Sequence, residues 1–156
     1  MKLILGGKAP AFSLPDQDGV MRSLSDYKGQ YVLMYFYPKD DTPGCTKEAC
    51  SIRDSFPFFE SLDAKVLGIS IDSVKSHKKF VDKYSLPFTI LSDQEKKVVN
   101  LYGVWTLKKM MGREYKGTLR TSFLIDPKGI IKKIYTTVKP ELHAQEVIDD
   151  LKSMKK

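Results

Sequence analysis

Tyr31-Val32-Leu33-Met34-Tyr35-Phe36-Tyr37 runs directly into Pro38-Lys39-Asp40-Asp41-Thr42-Pro43-Gly44-Cys45-Thr46-Lys47-Glu48-Ala49-Cys50. The first seven residues are all apolar or aromatic. Such a run, without alternation, suits a central strand buried on both faces. From Thr46 the chain reads as helical, through Ile52, Phe56 and Phe59, with a break or kink expected at Pro57. The stretch therefore reads as strand, turn and helix, and the turn holds the first of only two cysteines. A thiol at a helix start meets free backbone N–H groups and the positive end of the helix dipole. Both favour its anionic form.

The flanking sequence extends this pattern. Ala9–Leu14 and Met21–Leu24 read as short extended segments around the Asp16–Gly19 turn. Lys65–Ser70 is a second buried strand. Ser73 is the expected N-cap of a helix reaching Tyr84. Phe88–Leu91 is a strand, and Ser92-Asp93 is expected to cap a helix through Val98, Val99 and Tyr102. Thr118–Ile125 and Ile130–Thr136 read as strands joined by the Asp126–Gly129 turn. Glu141–Met154 reads as an amphipathic helix with Val147, Ile148 and Leu151 inward. Strands separated by helices imply parallel crossovers, and the late hairpin adds an antiparallel edge. The expectation is an α/β fold: one domain over residues 1–156, with a mixed central sheet, helices on both faces and an N-terminal β extension. A reactive group following the central strand also fits, since open α/β sheets place their sites at the carboxyl ends of strands.

Composition excludes several classes. The chain has 156 residues, 42% hydrophobic and 29% charged, ordinary for a water-soluble globular protein. No apolar run approaches membrane-spanning length. Residues 1–7 hold too short an apolar stretch for a signal-peptide core, so a cytoplasmic setting is expected. In that compartment a close cysteine pair points to redox chemistry more than to a structural staple. The net charge is +7, but the lysines are scattered and do not interleave with aromatics. They read as solvated faces, not as a nucleic-acid surface.

The cysteine spacing is specific. The pair is Cys-x₄-Cys, not the Cys-x-x-Cys of dithiol oxidoreductases. Residues five apart on an intact helix have Cα atoms roughly 8.7 Å apart and point about 140° apart. A disulfide needs about 7 Å or less. Cys45 and Cys50 can therefore bond only if the helix opens. His77 and His143, the only histidines, read as surface residues on polar helix faces, and no metal site or cofactor motif is expected. Arg120 stands out inside the strand-like run Leu119–Ile125. A guanidinium there is either an edge-strand surface group or a partner for the Cys45 thiolate. From the residues alone, a general disulfide oxidoreductase and a non-enzymatic redox sensor or nucleic-acid binder stay open beside a thiol peroxidase.

Pro38-x₃-Thr42-x₂-Cys45 resembles the active-site motif of peroxiredoxins. Thr42-Pro43-Gly44-Cys45, with Ala49-Cys50 and the upstream Tyr35-Phe36-Tyr37-Pro38, is similar to the bacterioferritin comigratory protein / peroxiredoxin Q subfamily. The likeness runs through Ala9–Gly19, Val66–Ser70, Phe88–Asp93, Tyr102–Trp105 and Arg120–Asp126. It implies a thioredoxin-like fold and an atypical 2-Cys thiol peroxidase, reducing hydrogen peroxide and organic hydroperoxides without a cofactor. Cys45 is then peroxidatic and passes through a sulfenic acid, and Cys50 resolves it as an intramolecular disulfide. Thioredoxin or a similar dithiol protein restores the thiols. The resemblance further implies that Thr42, Arg120 and the Cys45 N–H hold the peroxide oxygens. Pro38, Pro43 and Gly44 shape and shield the pocket, and Glu48 supports the arginine. It implies a monomer, or at most a weak dimer.

Overall fold

The computed structural model describes residues 3–155. Met1 and Lys2, which fall in the N-terminal stretch considered above, and Lys156 lie outside them. The central sheet has five strands: β3 (Tyr31–Phe36), β4 (Ala64–Ser70), β5 (Thr89–Ser92), β8 (Thr121–Ile125) and β9 (Ile131–Tyr135), in the order β5-β4-β3-β8-β9. β3 pairs in parallel with β4 and antiparallel with β8, so the sheet is mixed as expected. The N-terminal extension is a separate two-stranded ribbon, β1 (Ser13–Pro15) with β2 (Met21–Ser23).

β3 is buried on both faces, and its residues divide by parity between two cores. Leu33, Tyr35 and Tyr37 share one core with side chains of α1 (Pro43–Asp54), α2 (Phe56–Ser61), α3 (Val74–Tyr84) and α5 (His143–Met154). Val32, Met34 and Phe36 share the other with Leu14 and with Val98 and Val99 of the short helix α4 (Lys97–Leu101). The uneven split follows from topology. β3, β4 and β5 step in one direction across the sheet, so right-handed crossovers carry α1 to α3 onto the same face. Helices therefore flank both faces, as expected, but only α4 covers the second. The rest of that cover is the N-terminal segment and the Tyr102–Trp105 stretch that follows α4.

Several local expectations change. The cysteine helix begins at Pro43, not Thr46, because proline fits the first helical position. Pro43-Gly44 is thus the helix's first turn and not a separate tight turn. The break near Pro57 falls at Ser55, and Pro57 sits near the start of α2. Asp93 does cap α4, though from a distance: Lys96 takes the position before the helix in the left-handed region, and the Asp93 side chain accepts the Val99 N–H of its first turn at 2.8 Å, while Ser92 Oγ donates to the Asp72 carbonyl instead. The Thr118–Ile125 run is two strands, because β7 (Arg113–Thr118) pairs with β6 (Trp105–Met110) in a hairpin that the apolar patterning did not reveal. Ser73 does cap α3, accepting from the Ser76 N–H at 3.1 Å.

Candidate active site

Register explains why Arg120 meets Cys45. Phe36, the last residue of β3, pairs with Thr121, the first of β8. Arg120 therefore enters the sheet at the edge where the chain leaves β3 for Pro38 and the cysteine helix. It lies in the gap between β7 and β8 and not inside a strand, as the sequence had suggested. Its Nη2 is 3.4 Å from Cys45 Sγ, and its Nη1 donates to Glu48 Oε1 at 2.8 Å.

Cys45 and Glu48 share one face of α1 because they are three residues apart. Both are buried, Cys45 at 2% exposure and Glu48 at 0%. Cys45 is the third residue of α1, where backbone N–H groups have no intrahelical acceptor. Thr42, the N-cap, does not cap with its hydroxyl. It donates from Oγ1 to the Lys39 carbonyl at 2.9 Å, which leaves that oxygen free to accept. Pro38 is half-buried and Pro43 exposed. Gly44 leaves room for the guanidinium, since a Cβ there would lie 3.0 Å from Arg120 Nη2. Cys45 and Cys50 are both free thiols on the one helix, Cys50 half-buried.

The electrostatics are asymmetric. Burial pushes the Glu48 carboxyl up to about 7, against the opposing pull of Arg120. Its second oxygen, Oε2, has no hydrogen-bond partner among the described residues, and neither does the buried Tyr35 hydroxyl. Burial, then the charges of Glu48 and Cys45, hold that phenol well above its ordinary value. Gly68 on β4 makes room for the ring, since a Cβ there would sit 3.0 Å from it.

Two features went unread in the sequence. Lys108 of β6 reaches this site: burial and the Arg120 charge lower its ammonium, and Cys45 pulls it the other way. It was invisible because the hairpin carrying it was. His77 and His143, expected at the surface, are at 0% and 1% exposure. Each lies on the buried stripe of its helix, His77 three residues before Phe80 and His143 four before Val147. Both stay in place by hydrogen bonding, His143 to Ser122 Oγ at 2.8 Å and Glu146 Oε1 at 3.0 Å. Asp40, Asp72 and His77 place one donor atom each within 4.8 Å of one another. Tyr37, Ser70 and Ser76 hydroxyls already occupy those carboxylates, so the cluster is a hydrogen-bonded one.

A buried thiol beside a guanidinium at a helix start, with a second thiol on the same helix, is an arrangement suited to cysteine redox chemistry. The AhpC/TSA family model matches residues 5–134, and the chain belongs to that family. Its relatives make it a peroxiredoxin, an oxidoreductase with peroxidase activity, of the Bcp/peroxiredoxin Q group. Peroxiredoxin Bcp of Bacillus subtilis is 47% identical over 154 residues, 99% of this chain and 98% of that protein. A Xylella fastidiosa PrxQ structure aligns with a TM-score of 0.94 at 34% identity, covering 100% of this chain and 99% of that one. The Xanthomonas campestris bacterioferritin comigratory protein, studied for its alkyl peroxide reduction activity, aligns with a TM-score of 0.88 at 35% identity, covering 93% and 92%. Among the described residues, no helix is long and apolar enough to cross a membrane.

Proposed function

We propose that Cys45 is the peroxidatic thiol and Cys50 the resolving one. The observation that supports this most is the Cys45–Arg120–Glu48 chain, a buried sulfur 3.4 Å from a guanidinium that a buried carboxyl holds in place. The Cys45 thiolate attacks the terminal oxygen of the hydroperoxide and the O–O bond breaks. The sulfur becomes a sulfenic acid, and the departing alkoxide or hydroxide takes a proton and leaves as alcohol or water. Arg120 and the Cys45 N–H stabilise charge developing on the oxygens, and Thr42 Oγ1 accepts from the peroxide O–H. Pro38 limits water at the sulfur.

The first turns of α1 then open. The Cys50 thiol condenses with the sulfenic acid, releasing water and leaving the Cys45–Cys50 disulfide. A dithiol protein of the thioredoxin type reduces it by exchange and is itself oxidised. The substrates are hydrogen peroxide and organic hydroperoxides, the latter favoured by the alkyl peroxide activity of the Xanthomonas relative. The working unit is one 156-residue domain acting as a monomer in the cytoplasm, with no bound cofactor.

Peroxide consumption coupled to thioredoxin oxidation tests the scheme. Cys45→Ser abolishes turnover. Cys50→Ser still forms a Cys45 sulfenate, trapped by a dimedone adduct, but no intramolecular disulfide by mass mapping. Retained turnover in Cys45→Ser overturns the assignment.

A further inference from the structure

The turn that delivers Cys45 to its helix is fastened to a different helix. Asp40 is buried, and both of its carboxylate oxygens are engaged. Tyr37 OH donates to Oδ1 at 2.6 Å and Ser76 Oγ to Oδ2 at 2.8 Å, and His77 Nδ1 lies 2.7 Å from Oδ2. The other ring nitrogen of His77 lies 3.0 Å from the Leu91 carbonyl, which can only accept, so Nε2 carries a hydrogen. The 2.7 Å between Nδ1 and Oδ2 then requires one further hydrogen between them, so the pair is a short, buried hydrogen bond. Asp72 Oδ2 takes the backbone N–H of Asp40 at 2.9 Å and is itself fixed by Ser70 Oγ at 2.7 Å. The next residue, Asp41, has φ of 56° and is held by Lys83 Nζ and Tyr84 OH, each at 2.7 Å. Ser76, His77, Lys83 and Tyr84 all belong to α3, whereas no such side-chain fastening from α3 reaches the Pro43–Cys50 stretch among the described residues.

We propose that the Asp40–His77 pair, with Ser76 and Asp72, is a clasp on the Lys39–Thr42 turn that sets how readily the first turns of α1 open. It rests on the reading of Cys45 as peroxidatic in one respect only, its catalytic consequence. Peroxide attack needs the closed site, where Arg120 touches the sulfur. Disulfide formation needs the opened helix. A firm clasp keeps the sulfenic acid longer in the closed form, where a second peroxide can take it to sulfinic acid. His77 is thus a positioning residue that acts through the turn and touches no substrate.

Hydrogen exchange on the full chain tests the clasp without reference to catalysis. In His77→Gln, amides of residues 46–50 exchange about tenfold faster relative to those of β8, since a buried hydrogen bond that fastens the turn is lost. Ser76→Ala, which deletes one hydroxyl, gives a smaller increase and carries the test if His77→Gln does not fold. In rapid mixing with hydrogen peroxide, His77→Gln slows Cys45 oxidation, speeds the sulfenate-to-disulfide step and lowers the sulfinate yield at excess peroxide. Folded variants with unchanged exchange over 46–50 overturn the clasp, and so does an equal slowing of attack and resolution. If the wild-type chain shows no peroxide-dependent oxidation of Cys45, the proposed function fails while the exchange result still decides the clasp.

Discussion

Two buried carboxylates flank the cysteine turn, and they are treated differently. Asp40, before it, has an imidazole and two hydroxyls on its oxygens. Glu48, after it, has Arg120 on one oxygen and nothing on the other. A fully satisfied buried network rigidifies, whereas a half-satisfied one costs stability and is kept where chemistry uses it. The first carboxylate holds the turn. The second lies under a guanidinium that must face an anion, and its own charge there is hard to sustain because burial pushes it up to about 7.

The contrast is most sharply broken at Arg120. Arg120→Ala removes the group facing the sulfur and strands Glu48, and peroxide attack should slow about 100- to 1,000-fold in single-turnover kinetics. A loss below about threefold would mean that the guanidinium does not stabilise the transition state.

Glu48→Gln sharpens the comparison through stability. A folded-state value near 7 against about 4.5 unfolded means that the native state binds more protons across that window. Wild-type stability therefore declines as pH rises from about 4.5 through about 7, by at most about 3 to 4 kcal/mol. Glu48→Gln removes that decline, and urea titrations at pH 5 and pH 8 should give more nearly equal midpoints. An undiminished decline would place its origin elsewhere.

Gly44→Ala is the mildest change. Its methyl meets Arg120 Nη2 at 3.0 Å, so the guanidinium must give by a few tenths of an ångström beside the sulfur. Attack should slow about threefold with the thermal midpoint little changed, as expected for a small misplacement of a group that faces the reacting atom.

Much of this site was legible in the sequence because it is local. Cys45 follows a strand and stands at the entry to a helix, both readable locally, while Thr42 and Glu48 came with the motif around it. Arg120 could be singled out because an arginine amid Leu119–Ile125 breaks the pattern. Its place beside Cys45 depends on the β3–β8 register, which no local pattern encodes. The clasp was hidden for a different reason. His77 lies on the stripe with Val74, Phe80, Val81 and Tyr84, a position that argued for burial, but its partner Asp40 is 37 residues away. The β6–β7 hairpin escaped because its strands are lysine-rich and mostly exposed. Its two-residue turn is Met111-Gly112, both at positive φ, where Asn-Gly would have announced it.

Both cysteines ride on α1, whose later turns stay packed through Ala49 and Ile52. When the first turns open, Cys45 remains tethered four intervening residues from Cys50. On the proposed route this gives the resolving thiol an effective concentration on the order of millimolar or more, set by the tether alone. Disulfide formation should then proceed at one rate however far the protein is diluted, and only its re-reduction depends on how much of a second protein is present.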